Sequence, residues 1–237
     1  MSKVAVLISA HPNDQAGLVN TLFSFAKDLR SGMVKAYIAI DGGELSIINQ
    51  ECLSSIPNVS LIQHKENLGL TRRLNQLIGI SKEPYIARVD AGDLCTLDRF
   101  ESQISLMLSH DVVGSCSTFE EKIIHHPLQL TQNFVIHSSV MFKREISDLK
   151  VEYNERYIVS QDYELWLRLL SSGAKFYLSS NPFCIRRSNP NSITNIKFRQ
   201  QIAFAHRARV EFGHKVIDSA RSSLYNLIKC ELSRMFK

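Results

Sequence analysis

Two carboxylates, Asp90 and Asp93, enclose an Ala91-Gly92 pair directly after the apolar segment YIARV, residues Tyr85 to Val89. Acids at that spacing on the tip of a strand supply hard oxygen ligands of the kind Mg²⁺ or Mn²⁺ takes together with phosphate oxygens and water. Taken alone, the same four residues more simply make an Asx turn with helix-capping acids, since Asp and Gly are what such turns need. A further acid, Asp162, stands in YIVSQDYELWLRLLSSG, Tyr157 to Gly173. With Ser160 as N-cap and Gly173 as stop, Asp162 falls in the first turn of a helix, where the helix dipole favours the charged form. An ionised acid so placed can accept a proton from a hydroxyl, or can simply complement the dipole. Arginine pairs occur in ENLGLTRRLNQLI (Arg72, Arg73) and FCIRRSNPNSIT (Arg186, Arg187). They can clamp a diphosphate through forked, charge-assisted hydrogen bonds, or stand solvated. His137, in VIHSSVMF, is open to a phosphate or acceptor contact, whereas His64 and His125-His126 read as surface residues.

Positioning these groups requires a frame. The runs VAVLIS, VKAYIAI, VSLIQH, YIARV and DVVGSC are short and almost unbroken in apolar character, which suits strands covered on both faces and hence a largely parallel sheet. Between them lie helical patterns: Leu18, Leu22, Phe25 and Leu29 at three- and four-residue spacing, then Leu97, Phe100, Ile104 and Leu108 behind Thr96 as N-cap. In ENLGLTRRLNQLI, a turn at Asn67-Leu68-Gly69 precedes a helix that packs Leu70, Leu74 and Leu77 inward. The alternation predicts an α/β doubly wound sheet. Ligands bind beyond the carboxyl ends of such strands, so His11 to Asp14, Asp41, Asn67 and Asp90 to Asp93 are the positions that matter. Neither a G-x-G-x-x-G nor a G-x-x-x-x-G-K-[ST] is present, and no G-x-S-x-G marks a nucleophile elbow.

The length of 237 residues and 44% hydrophobic content allow one substantial core. The first apolar run stops at His11-Pro12, too short for a signal peptide or a bilayer span. Five scattered cysteines, with no C-x-x-C and no zinc spacing, predict a reducing cytoplasm and no structural zinc. Much of the net charge of +5 lies beyond Asn195. There Phe198, Ile202, Ala205 and Val210, then Val216, Leu224, Leu227, Ile228 and Leu232, alternate with cations. Such a helix either lies on an anionic membrane or packs on the domain with a solvated basic face.

The order of the pieces NLGLTRRLN, ARVDAGDLCTLDRFE, HSSVMFKRE and QDYELWLRLLSSG resembles glycosyltransferase family 2, the inverting, sugar-nucleotide-dependent enzymes of the GT-A fold. The likeness runs from about Val4 to Thr194. It implies an α/β GT-A domain over residues 1–195, with a nucleotide-sugar half (1–100) and an acceptor half (101–195), and a basic helical extension over 196–237. It implies that Ser9, Ala10, His11 and Asp41 hold the nucleoside, with Asp41 accepting from the base. Asp90 and Ala91 would lie at the ribose, with Asp90 and Asp93 as ligands of Mn²⁺ or Mg²⁺. Arg72, Arg73 and Arg187 would meet the diphosphate, and Asp162 would be the catalytic base. The family commonly has D-A-D-D at residues 90 to 93, and its usual third acid is Gly92 here; Gln161 likewise stands where many relatives carry Glu. The resemblance further implies a UDP-sugar donor, a saccharide or polyprenol-diphosphate-linked saccharide acceptor, a role in bacterial surface polysaccharide, and a cytoplasmic, peripherally membrane-bound protein with no nucleic-acid partner. The alternative is a nucleotide-sugar-binding assembly subunit whose catalysis has decayed.

Overall fold

The computed structural model describes residues 2–187 and 197–212. The chain opens with β1 (Val4–Ala10), α1 (Gln15–Ser24), α2 (Ala26–Ser31), β2 (Val34–Asp41), α3 (Ile47–Ser55), β3 (Val59–His64), α4 (Leu70–Ile80) and β4 (Tyr85–Arg88). A two-residue strand, β5 (Leu94–Cys95), leads into α5 (Arg99–Leu106). Then follow β6 (Val112–Ser115), β7 (Lys122–Ile124), β8 (Met141–Lys143) and the small hairpin of β9 (Glu145–Ile146) and β10 (Leu149–Lys150). The described chain ends with α6 (Gln161–Ser171), β11 (Phe176–Ser179), β12 (Cys184–Ile185) and α7 (Phe198–Glu211).

Eight strands form the main sheet in the order β3-β2-β1-β4-β8-β6-β11-β7. The pairs of β1 with β2 and β4, of β2 with β3 and of β6 with β11 are parallel; β8 and β7 run antiparallel to their neighbours. The unbroken apolar runs now have a physical cause. Successive side chains of β1 point to opposite faces, so Val4, Val6 and Ile8 enter the core beneath α1, α2 and α5, while Ala5 and Leu7 enter the core beneath α4 and α6. Both faces are dry, and neither can carry the polar half of an alternating pattern.

Trp166 anchors the second core at the centre of α6. It is fully buried and meets Phe142, Phe176 and His137 edge to face. The expected inward face of Tyr163, Trp166, Leu169 and Leu170 is buried, and Gly173 ends the helix at φ +89.

Local boundaries differ from expectation in several places. The helix expected across Leu18 to Leu29 breaks at Phe25, whose φ of −128 lies outside the helical region, into α1 and α2. Thr96 is not an N-cap: its carbonyl accepts from Arg99 N–H, and Asp98, at φ +56, precedes α5 instead. Ser160 does precede α6, but at φ +54 its hydroxyl turns away from the helix and donates to the Gln201 carbonyl at 3.1 Å.

That last bond ties α6 to α7. Phe204, Ala205, Ala208 and Phe212 pack against the Trp166 core, the Tyr157 hydroxyl donates to Glu211 at 2.8 Å, and Arg207 lies over the Tyr157 ring. Phe198 and Val210, expected on the apolar stripe, are largely exposed. The described part of the basic extension therefore packs on the domain. Val216, Leu224, Leu227, Ile228 and Leu232 lie outside the described residues, and among those described no helix is long and apolar enough to cross a membrane.

Candidate active site

The register of β2, β1 and β4 brings their carboxyl ends to one edge of the sheet, and with them Ser9 to His11, Asp41 and Asp90. Ser9 is half-buried, Ala10 is buried and His11 is exposed, with its Nδ1 accepting from Asn13 N–H at 3.2 Å.

Asp41 is already occupied. Its carboxylate accepts from Leu68 N–H at 3.0 Å, Gly69 N–H at 2.8 Å and Arg73 Nε at 2.7 Å. Burial opposes its charge, yet these donors together hold it below the ordinary carboxylate range. Arg73 is equally committed, donating to the Gln76 side chain and to the Glu66 carbonyl. Buried charge must be paired, and Arg73 is buried to form this pair, so it is not the solvent-facing diphosphate clamp that was expected. Arg72 projects the other way and pairs with Glu155 at 3.4 Å.

At the tip of β4, a residue outside the expected set does the positioning. Arg88 is buried in the sheet and donates to the Leu7 carbonyl and to Asp90 Oδ1. Asp90 itself is half exposed, so Arg88 fixes one oxygen and leaves the other turned outward. An arginine inside YIARV was the one polar break in an apolar run, and this is the signal that could have found it.

Across the site, Asp162 sits in the first turn of α6, where the expectation placed it, and accepts from the Asn133 amide at 2.7 Å. Asn133 belongs to a loop with no pattern of its own. His137 lies within electrostatic reach of both Asp162 and Asp90. It is half-buried, its Nε2 is 2.8 Å from the Tyr153 hydroxyl, and desolvation holds it below its ordinary pKa while the nearby Asp162 and Asp90 charges work the other way. Its ring packs edge to face on Tyr153 and Trp166, and its Nε2 is committed to the Tyr153 hydroxyl. His64 also departs from expectation: its Nε2 is buried without a hydrogen-bond partner.

Asp93 does not join Asp90 as an outward-facing ligand. It is buried, accepts from Arg187 N–H at 2.9 Å and bonds Ser138; burial, aided by Asp90, raises its pKa. Gly92 between them has no side chain and stands at φ +100, stacked on Gly17 of α1. Ala91 packs against the core. Among the described residues, no group of three His, Cys, Asp or Glu gathers to hold a metal ion. The donor set is therefore one open carboxylate, Asp90, which does not fit the two-carboxylate centre expected for Mn²⁺ or Mg²⁺.

The arm that carries Arg187 is held by β12 and β5, paired antiparallel with Cys184 opposite Cys95 and Ile185 opposite Leu94. An open groove of about 710 Å³ runs between this ribbon and α1, reaching Gly17, Gly92, Arg186 and Arg187. Ser188 to Thr194 of the FCIRRSNPNSIT segment lie outside the described residues.

This architecture is the GT-A glycosyltransferase fold. It superposes on S. aureus TarS 1-349 with a TM-score of 0.68 at 13% identity, covering 92% of this chain and 68% of that one. It also superposes on the mannosyltransferase PcManGT from Pyrobaculum calidifontis, in complex with GDP-Man and Mn²⁺, with a TM-score of 0.64 at 12% identity over 96% of this chain and 75% of that one. At such identities the likeness speaks to the fold alone. Sequence supplies the rest: residues 6–151 match Glycosyl transferase family 2, and the chain belongs to that family. Among curated relatives, the amylovoran biosynthesis glycosyltransferase AmsE of Erwinia amylovora is 30% identical over 131 residues, 48% of each chain. An uncharacterized glycosyltransferase of Methanocaldococcus jannaschii is 27% identical over 151 residues, 56% of this chain and 51% of that one. The chain spans about half the length of these relatives.

Proposed function

We propose that the protein transfers a sugar from a nucleotide donor to a hydroxyl of a saccharide acceptor, with inversion at the anomeric carbon, and that Asp162 is the base. The observation that carries this reading is a pair of carboxylates that both act on His137: Asp90 just past the tip of β4, Asp162 on the first turn of α6. The acceptor hydroxyl gives its proton to Asp162 as its oxygen bonds to the anomeric carbon. The bond from that carbon to the diphosphate oxygen breaks, and its electron pair leaves with the nucleotide. One displacement from the opposite face inverts the centre.

Asn133 fixes one oxygen of the base through its amide and leaves the other for the acceptor. On the donor side, Asp90 is held for the ribose by Arg88, and the exposed tip of β1 at His11 lies beside it for the nucleoside. UDP is the preferred nucleotide in this reading, supported by TarS structures with UDP and UDP-GlcNAc; GDP is the rival, because PcManGT is described with GDP-Man. The amylovoran relative supports an acceptor in a surface polysaccharide, either a free or a lipid-linked saccharide. Docking on the cytoplasmic face of an anionic membrane through the basic residues after 212 belongs to the same reading.

The test is Asp162→Asn. It should abolish transfer from a nucleotide-sugar panel while leaving nucleotide affinity and thermal stability close to wild type. Turnover like that of the wild type would remove the base assignment. Tight nucleotide binding by the wild type with no transfer or donor hydrolysis would favour an assembly subunit instead.

A further inference from the structure

The space above Gly92 is occupied. A Cβ built on Gly92 would lie 3.3 Å from Arg187 Cδ, and one built on Gly17 would lie 3.0 Å from Gly92 Cα and 3.5 Å from Arg187 Nη1. The two glycines thus form a slot in which the Arg187 stem and guanidinium lie across the turn that separates Asp90 from Asp93. The placement is built in by register: continuing the antiparallel β5–β12 pairing past Ile185 and Leu94 sets Arg187 opposite Gly92. Its backbone N–H is pinned by Asp93, which is why that acid faces inward rather than toward a cation. The guanidinium forms no ion pair with a described carboxylate.

We propose that Arg187, seated over Gly92, supplies the positive charge for the departing nucleoside diphosphate in place of a carboxylate-bound metal. This rests on the nucleotide-sugar reading above and deepens it. A planar guanidinium offers two parallel N–H donors to phosphate oxygens and cannot lose its proton, so it neutralises the oxygen that receives the electron pair without any change of ligation. The slot explains both anomalies of the RVDAGD turn. A side chain at residue 92 would be strained at φ +100 and would crowd the arginine stem, and Asp93 is spent on holding the arm.

The experiment is isothermal titration of the full chain with UDP, GDP and uridine, in EDTA and in excess Mn²⁺, for wild type, Arg187→Ala and Arg187→Lys. Wild type should bind one nucleoside diphosphate with the same affinity in EDTA and in Mn²⁺. Arg187→Ala should lose about tenfold or more, the loss of a charge-assisted pair, with Arg187→Lys intermediate and uridine binding unchanged in all three. Diphosphate binding that EDTA abolishes, or an Arg187→Ala affinity equal to wild type, would overturn this inference while leaving the nucleotide reading intact. Binding of neither UDP nor GDP to wild type under either condition would overturn both.

Discussion

Replacing Asp41 by Asn keeps the shape of the side chain and removes the charge that Arg73 faces. The two side chains are 8% and 5% exposed, so solvent screens the pair little. Breaking a buried pair from one side costs about 3–5 kcal/mol, because the remaining charge is stranded. Arg73 keeps its bonds to Gln76 and the Glu66 carbonyl, which places the expected loss at the low end, about 3 kcal/mol. In a chain of this size each kcal/mol moves Tm by about 2–4 °C, so Asp41→Asn should melt about 6–12 °C below wild type. Urea titration should give the same loss, and a cycle with Arg73→Met should show a coupling of about 2 kcal/mol. The acid limb supplies a separate check. Donors outweigh burial and hold the folded carboxyl below its ordinary 3.8, so its stabilisation is complete above that value and is lost as pH falls through the lowered one. Asp41→Asn should flatten that limb. A loss under about 1 kcal/mol, the scale of a surface pair, or strictly additive single effects would refute the argument that Asp41 and Arg73 clamp the 66–69 loop.

Two other perturbations probe the centre. Gly92→Asp introduces the third acid that the resemblance led one to expect, but at φ +100 and against Arg187 Cδ; it should destabilise by about 1–3 kcal/mol and lower UDP affinity without making it depend on Mn²⁺, and a stable, metal-requiring variant in calorimetry would contradict the slot. Desolvation holds the His137 pKa below its ordinary 6.5, with Arg88 reinforcing that and the Asp162 and Asp90 charges opposing it. The unfolded chain takes up a proton near pH 6.5 that the fold refuses, so stability is complete above 6.5 and falls below it, by about 1.4 kcal/mol per pH unit at most. His137→Gln should lose that slope in urea midpoints measured from pH 7 down to pH 5, and an unchanged slope would place the titration elsewhere.

The parallel frame was legible because its cause is local: a strand dry on both faces must be apolar at every position, and VAVLIS and VKAYIAI say so directly. Asp162 was legible for a similar reason, since a helix start and its acid are written within a few residues. Asp41 was picked out as the polar end of a strand, yet its partner was not. Whether an arginine four residues after Asn67-Leu68-Gly69 turns outward to a phosphate or inward to an acid depends on which face of α4 meets the sheet. The spacing of Leu70, Leu74 and Leu77 puts Thr71 and Arg73 close to that boundary, and burial of both decides it. Thr96 and Ser160 failed as caps because cap preference is a property of a free helix end, and here backbone at positive φ beside each helix start redirected the chain.

The missing third acid was the visible oddity of RVDAGD, and by itself it read as a loss. Its complement lies 95 residues further on, in an arginine that composition treats as one more surface cation. Nothing local joins the two; only the pairing of Cys184 with Cys95 does, through strands two residues long. Such a short ribbon contributes little stability of its own, but in an antiparallel pair each residue fixes the partner of the next, so one hydrogen-bonded step beyond the ribbon is enough to choose Arg187 over Arg186. The adjacent Arg186 also reaches the groove, but the register sets it opposite Asp93 and not Gly92. Hence the role assigned to Arg187 is specific to position: Arg187→Ser should lose about tenfold in diphosphate affinity and Arg186→Ser little, whereas a general electrostatic pull by two exposed cations would make the two losses equal.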